Sequence, residues 1–130
     1  MELGYTILYV DDVRATLDAW THAFGLTQRF CTPEGTYGEL ETGSTILSFA
    51  EREFGRDHFT DEAVRASFDG RPARFEIGFL TDDVPAAYEH AIQHGMRPVN
   101  APMTKPWGQV VGWVVDPNGI LVELSTPAIL

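Results

Sequence analysis

The chain contains a single cysteine, Cys31, and no long hydrophobic run. One cysteine cannot form an internal disulfide and leaves no cysteine cluster for a metal ion, which is typical of a reducing compartment. No apolar stretch approaches the ~20 residues that cross a bilayer. Residues 1–4 also lack the charged and apolar regions of a signal peptide. We therefore expect a soluble, cytoplasmic protein.

Basic residues are also scarce, since nine Lys and Arg stand against 19 Asp and Glu, for a formal net charge of −10. Negative charge repels phosphate backbones and anionic lipid surfaces, so we expect neither nucleic acid nor membrane as a partner. The same sign favours a cationic small molecule, although acidic surfaces are also typical of soluble proteins in general.

An internal repeat is the most informative feature that is present. Residues 5–13 (YTILYVDDV) lie over residues 76–84 (EIGFLTDDV), an offset of 71 residues. Later in each half, residues 43–49 (GSTILSF) lie over residues 119–125 (GILVELS). The repeat predicts two related modules with a site between them.

The length limits how the two modules are organised. At 130 residues and 44% hydrophobic content, the chain can form one ordinary core but not two independent domains. We therefore expect a single domain over residues 1–130. Its first module covers residues 1–50, a connector covers 51–74, and the second module covers 75–127.

Each module is predicted to run in the order βαβββ, which gives an α+β fold. In each half a strand is followed by a helix with one apolar stripe, and the helices end at Gly25 and Gly95. Asp11 or Asp12 is expected to cap the first helix, and Asp82 or Asp83 the second. The remaining predicted strands are 26–31, 37–42, 44–50, 97–100, 109–115 and 120–125.

Two segments are predicted to lie outside these elements. The polar connector 51–74 is expected to hold one helical turn near 61–67 and to act as a lid. Residues 101–108 contain two prolines and a glycine, which predicts a second loop. Trp107 belongs to no core stripe in that loop, so we expect it to contact a ligand or a dimer partner.

The helix of each module covers one face of its sheet, so the other two faces are predicted to line a common cleft. Side chains alternate along a strand, which assigns one set of residues to this cleft. That set is Tyr5, Ile7, Tyr9, Thr45, Leu47, Phe49, Glu76, Gly78, Leu80, Leu121, Glu123 and Ser125.

The second module alone contributes carboxylates to this set, Glu76 and Glu123. Two carboxylates in an apolar cleft repel each other, which raises at least one pKa and suits a general acid or base, or a receptor for a basic group. The alternative is structural: Glu76 pairs with an arginine such as Arg74 or Arg97, or with backbone amides, and Glu123 forms a hydrogen bond with a tyrosine.

Four segments carry a family resemblance: YVDDV at 9–13, FEIGF at 75–79, KPWGQ at 105–109 and DPNGILVEL at 116–124. They resemble the vicinal oxygen chelate superfamily, which includes glyoxalase I, extradiol dioxygenases, fosfomycin-resistance enzymes and bleomycin-binding proteins. The resemblance implies two βαβββ modules whose mixed four-stranded sheets form an open half-barrel cleft. It also implies a homodimer, because related proteins often complete the cleft with a module from each subunit.

The resemblance also implies where a metal ion would be held. In metal-dependent members the first and last strands of each module supply one ligand apiece, typically His or Gln, Glu, His and Glu. These positions correspond to Tyr5, Leu47, Glu76 and Glu123, of which only Glu123 keeps the usual ligand type. A catalytic ion typically needs at least three protein ligands, so we expect no metal site and no cofactor.

The sequence thus predicts a glyoxalase-like or bleomycin-resistance-like protein that binds a small organic molecule, with Glu76 and Glu123 orienting a polar or cationic group. The alternative is a glyoxalase-type lyase or isomerase in which Glu76 and Glu123 are catalytic and hold a divalent ion together with water. A third possibility is a partner-regulating module that uses the fold without a ligand. The apolar ligand contacts are expected from Tyr5, Leu47, Phe49 and Trp107.

Overall fold

The computed structural model describes residues 1–72 and 74–128. They fall into two compact units, Met1–Arg71 and Pro72–Leu130. The boundary between the units lies inside the segment 51–74 that the sequence assigns to the connector. No helix in the described part of the chain is long and apolar enough to cross a lipid bilayer.

The first unit contains one four-stranded sheet and three helices. Its elements are β1 (Tyr5–Val10), α1 (Val13–Phe24), β2 (Gln28–Cys31), β3 (Tyr37–Leu40), β4 (Ile46–Glu51), α2 (Arg52–Arg56) and α3 (Glu62–Ala66). The strand order is β1-β4-β3-β2, with β1 parallel to β4 and the other pairs antiparallel. Helix α3 matches the predicted turn near 61–67, whereas α2 is a second short helix that the sequence analysis missed.

The second unit repeats this plan with one helix. Its elements are β5 (Glu76–Leu80), α4 (Val84–Gln93), β6 (Arg97–Thr104), β7 (Val110–Val115) and β8 (Leu121–Ser125). The strand order is β5-β8-β7-β6, and β5 is parallel to β8. The predicted α+β class, with two mixed four-stranded βαβββ sheets, is confirmed.

Aspartate caps fix the start of the main helix in each unit. The Asp12 side chain accepts a 2.9 Å hydrogen bond from the backbone N–H of Ala15, and Asp83 accepts a 3.1 Å bond from Ala86. Such caps satisfy backbone donors that the first helical turn leaves free. Both units share this arrangement of strand, aspartate cap and helix, which explains why the repeat is visible in the sequence at 5–13 and 76–84.

Strand β6 corrects the prediction of a loop over 101–108. The strand continues to Thr104, because β6 lies at the edge of its sheet, where proline is tolerated. Its register shifts near Pro98 and again before Met103, which accommodates the irregular backbone. Between β6 and β7, the predicted loop is reduced to a tight turn at Lys105–Gln109. Two backbone hydrogen bonds of 2.8 Å close this turn, from Gly108 N to Lys105 O and from Lys105 N to Gln109 O.

The face of β4 is also opposite to the predicted one. Paired residues of neighbouring strands lie on the same face, and the register pairs Leu8 with Phe49 and Ile7 with Ser48. Phe49 is fully buried and packs edge-to-face against Trp20 of α1, with ring centroids 5.1 Å apart. The prediction that Leu47 and Phe49 face away from the helix is therefore wrong, and both belong to the core.

A one-residue slip in the aligned repeat explains this error. The pair Ile7 and Ser48 in the first sheet corresponds to the pair Gly78 and Glu123 in the second. Ser48, rather than Leu47, is thus the structural counterpart of Glu123. A slip of one residue moves every side chain of a strand to the other face.

Candidate functional site

The two glutamates singled out from the sequence lie on the same face of the second sheet. Buried apolar residues on alternate positions of β8, Val122 and Leu124, mark the face that packs against α4. Glu76 and Glu123 fall on the opposite face, which we call the helix-free face. Gly78 is paired with Glu123 there and adds no side chain.

Glu76 is held by a tryptophan rather than by an arginine. The indole Nε1 of Trp113 donates a 2.8 Å hydrogen bond to Glu76 Oε2. Trp113 also pairs directly with Glu123 in the β7–β8 ladder, so all three side chains share the helix-free face. Among the residues described, Glu76 forms no ion pair, and the alternative of a bond to Arg74 or Arg97 is wrong.

The carboxyl group of Glu123 interacts with that of Glu76. Burial raises the pKa of the Glu123 carboxyl, and it is raised further by the hydrogen bond that protonated Glu123 donates to Glu76 and by the negative charge of Glu76. The charge of Lys105 lowers the same pKa but does not reverse the shift. The direction of this shift agrees with the expectation that at least one pKa of the pair is raised, with burial as the largest cause. We refer to Glu76 and Glu123 as the acidic pair.

Lys105 completes the charged surroundings of the acidic pair. Its Nζ lies 5.4 Å from the centre of the Trp113 ring, a cation–π distance, and 3.7 Å from Met103 Sδ. Lys105 is half-buried, although its neighbours Pro106 and Trp107 are exposed. The sequence analysis gave no role to Lys105 or Trp113. Strand alternation puts Trp113 on the same face as Val111 and Val115, but its position beside Glu123 is set by the β7–β8 register, which the sequence does not show.

Trp107 is displayed on the β6–β7 turn, as the sequence predicts. Its side chain is 60% exposed, and its Nε1 donates a 2.8 Å bond to Gln109 Oε1. Gln109 Nε2 in turn donates a 2.8 Å bond to the carbonyl of Thr126. The polar edge of the indole is therefore fixed while its ring remains accessible, and contact with a ligand or a dimer partner stays a prediction.

The first unit carries hydroxyl groups where the second carries the acidic pair. Tyr5 is 55% exposed on the face opposite α1. The Tyr37 hydroxyl donates a 2.7 Å bond to Glu39, whose carboxylate lies 3.2 Å from Arg29. Burial raises the pKa of Tyr37, a hydrogen bond with Ser48 opposes the shift, and Glu39 adds to it. This surface suits hydrogen bonding, and the Glu39 carboxylate on it already has Arg29 as a cationic partner.

The connector occupies one end of that face. The Tyr9 ring lies edge-to-face against Phe68, with ring centroids 4.6 Å apart. A Cβ built on Gly55 of α2 would collide with the same tyrosine ring. Tyr9 is thus engaged by the connector, whereas the proposed movement of this segment as a lid stays a prediction.

A groove of about 360 Å³ lies elsewhere in the second unit, at the start of α4. Its lining residues are Asp82, Asp83, Val84, Pro85, Pro102, Met103, Thr104, Val110 and Thr126. Neither member of the acidic pair borders this groove. The candidate site is therefore the helix-free face around Glu76, Glu123, Trp113 and Lys105.

Two βαβββ units, each with its own mixed sheet, define the class of fold that the repeat and the family resemblance predict. The family model of the Glyoxalase/Bleomycin resistance protein/Dioxygenase superfamily matches residues 2–124. The chain therefore belongs to this superfamily, and the resemblance derived from its sequence is confirmed.

Solved structures with the same fold include a family enzyme from Burkholderia phytofirmans PsJN, at a TM-score of 0.82 and 19% identity over 97% of this chain and 98% of that chain. A glyoxalase-related enzyme from Fulvimarina pelagi has a TM-score of 0.81 and 15% identity, covering 98% and 88% of the two chains. TioX from Micromonospora sp. ML1 has a TM-score of 0.75 and 19% identity, covering 97% and 98%. These similarities establish the fold alone.

One curated relative is also similar along its length. The uncharacterized protein YraH of Bacillus subtilis (strain 168) is 25% identical over 126 residues, which cover 95% of this chain and 97% of that protein. The similarity extends over both units and so agrees with the family assignment.

Proposed function

We propose that this protein binds a small organic molecule that carries a protonated basic group, on the helix-free face of its second sheet. The acidic pair supports the proposal, because two neighbouring carboxylates, one of which has a raised pKa, are stabilised by a nearby cation. Trp113 adds an aromatic ring to the same place, and ring faces attract organic cations.

Exposed apolar side chains of the second unit support binding of an organic rather than an inorganic cation. Leu80 is 68% exposed and pairs with Ser125 on the helix-free face, and Trp107 is 60% exposed. Tyr5 stays a predicted contact. Leu47 and Phe49 are not part of the proposed site, since they are buried in the first unit.

Isothermal titration calorimetry with a panel of basic aromatic compounds tests the proposal. We expect binding to the wild-type protein, and a loss of about fivefold or more in affinity for Glu76→Gln and Glu123→Gln, since one close charge pair contributes about 1 kcal/mol. Glu89→Gln is the matched control, because it removes the same charge from an exposed position on α4. Absence of binding, or equal losses in all three variants, would contradict the proposal.

The second candidate is a metal-dependent lyase or isomerase of the glyoxalase type, with Glu76 and Glu123 as catalytic residues. It is favoured by the closeness of the two carboxylates, which occupy two of the positions that the family resemblance assigns to ligands. The donor set does not fit a firmly held ion, however. The first-unit counterparts are Tyr5 and Ser48, Lys105 places a positive charge beside the pair, and in neither unit do the described residues bring three His, Cys, Asp or Glu together.

Elemental analysis of the purified protein separates the two candidates. The enzyme predicts a stoichiometric divalent metal and turnover of thiol hemiacetals when nickel or zinc is added. Metal at background level, with no turnover under those conditions, would remove it.

The assembly and location of the protein are also proposals. We propose a cytoplasmic homodimer without nucleic-acid or membrane partners, on the basis of the family resemblance and the acidic composition. Sedimentation at several protein concentrations tests the dimer, and a monomer throughout would contradict it.

A further inference from the structure

The positive charge beside the acidic pair comes from the only lysine in the chain. Lys105 Nζ lies over the Trp113 ring, 5.4 Å from its centre, where a ligand cation would make its best contact with the indole. We infer that Lys105 fills the cation site of the second unit, and that the ammonium group of a bound ligand displaces it. This inference rests on the proposed binding of a basic molecule.

The bonds of Lys105 fit a side chain that can leave. Among the residues described, its ammonium group forms no ion pair, and its side-chain hydrogen bond goes to Met103 Sδ at 3.7 Å. A thioether is a weak acceptor, so little hydrogen-bonding energy is lost when the ammonium group moves to water. The lysine is thus held mainly by the ring and by the charge of the acidic pair.

The backbone beneath this side chain is fixed. Lys105 N donates to Gln109 O and Lys105 O accepts from Gly108 N, both at 2.8 Å. These bonds close the β6–β7 turn, so displacement requires only rotation of the flexible four-carbon stem. The turn itself can keep its conformation.

Displacement follows from electrostatics, because two cations over one ring would repel each other. The interaction of a ligand with the site must therefore be stronger than the attraction between Lys105 and its surroundings. An organic cation meets this condition, because its apolar surface adds further contacts. A small hydrated ion gains no such contact. Lys105 would in this way select organic ammonium ligands over inorganic cations.

Binding of benzyltrimethylammonium provides the first test, measured by calorimetry on unmodified protein. We expect Lys105→Gln to bind it about two- to fivefold more tightly than the wild type, which is the affinity equivalent of one exposed cation–π contact. Lys105→Arg keeps a cation that stacks on the ring and is expected to show no gain. Arg97→Gln removes the same charge from an exposed position in the second unit and is the control for general electrostatics.

A direct readout of the lysine provides the second test. Reductive methylation with 13C-formaldehyde labels only Lys105 and the N-terminal amine, because the chain has no other lysine. We expect the dimethyl-lysine signal of the free protein to be shifted upfield by the Trp113 ring, and to move to the position of an exposed lysine as the ligand saturates the site.

The outcomes distinguish this inference from the proposed function. Binding that leaves the lysine signal in place, or an equal gain in Lys105→Gln and Arg97→Gln, overturns the inference while the binding function stands. Binding to Lys105→Gln alone also overturns the inference, because the ligand then fails to displace Lys105 from the wild-type protein. Failure of both the wild type and Lys105→Gln to bind overturns the inference together with the proposed function.

Discussion

The Trp113 indole Nε1 donates a 2.8 Å hydrogen bond to Glu76 Oε2, across 37 residues of sequence. Their strands, β7 and β5, are not neighbours, because β8 lies between them in the sheet. The bond therefore spans β8 at the place where Glu123 projects from it. Trp113 thus positions one carboxylate beside the other.

Trp113→Phe tests this arrangement by removing the donor while keeping a ring. We expect the free energy of unfolding to fall by about 1 kcal/mol at pH 7, the typical contribution of one hydrogen bond. Urea denaturation measures the change. Trp107→Phe is the matched control, since its indole also donates to a side chain, Gln109, but from an exposed turn. An equal loss of stability in the two variants would show that the bond to Glu76 contributes no more to the free energy of unfolding than the bond in the exposed turn.

Glu123 gives the stability of the protein a predictable dependence on pH. Its pKa is raised in the folded state, so between its ordinary value and the raised one the folded protein binds more protons than the unfolded chain. This contribution is fully present below the ordinary pKa of glutamate, about 4.3, and is lost as the pH rises through the folded pKa.

Glu123→Gln removes this titration. We expect the melting temperature of the variant, relative to wild type, to increase between pH 4 and pH 8, because only the wild type acquires an unfavourable negative charge. Glu89→Gln, at an exposed position, controls for overall charge. A difference from wild type that stays constant with pH would contradict the raised pKa of Glu123.

The corrected face of β4 predicts the effect of core truncation. Phe49 is fully buried, so Phe49→Ala is expected to lower the free energy of unfolding by about 3–5 kcal/mol. Tyr5→Ala, at a 55% exposed position on the other face of the same sheet, is expected to lower it by less than about 1 kcal/mol. Chemical denaturation compares the two, and similar losses would restore the original assignment of Phe49 to the ligand-facing side.

Much of the fold could be predicted because local signals agree with it. Each of these signals depends only on a few neighbouring residues: the aspartate caps Asp12 and Asp83, the residues that end the helices, and the alternation of β5. Strand β4 lacks such a signal, since four of its six residues are buried and both faces look apolar. Its face is decided by pairing with β1, which a weakly aligned repeat cannot fix to within one residue.

The candidate site could be predicted only in part, for a similar reason. Glu76 and Glu123 follow from strand alternation together with the family resemblance. Trp113 lies beside the acidic pair because of the strand order β5-β8-β7, and Lys105 because of the turn that follows β6. Both are tertiary features. The sequence shows these two residues but not the distance between them.

Packing of the connector on β1 predicts the effect of an added methyl group at Gly55. A Cβ at this position would meet the Tyr9 ring and lie 3.0 Å from Phe68, so Gly55→Ala is expected to lower the free energy of unfolding by about 1–3 kcal/mol through overpacking. Gly4→Ala is the control, because a Cβ there meets nothing within 4 Å.

A double-mutant cycle measured by urea denaturation identifies the partner in this contact. In a Tyr9→Leu background, whose smaller side chain leaves room for the methyl group, Gly55→Ala should lose most of its effect. The coupling arises because the two residues share one space, where Tyr9 already contacts Phe68. Additive effects of the two substitutions would mean that α2 does not pack on the Tyr9 ring.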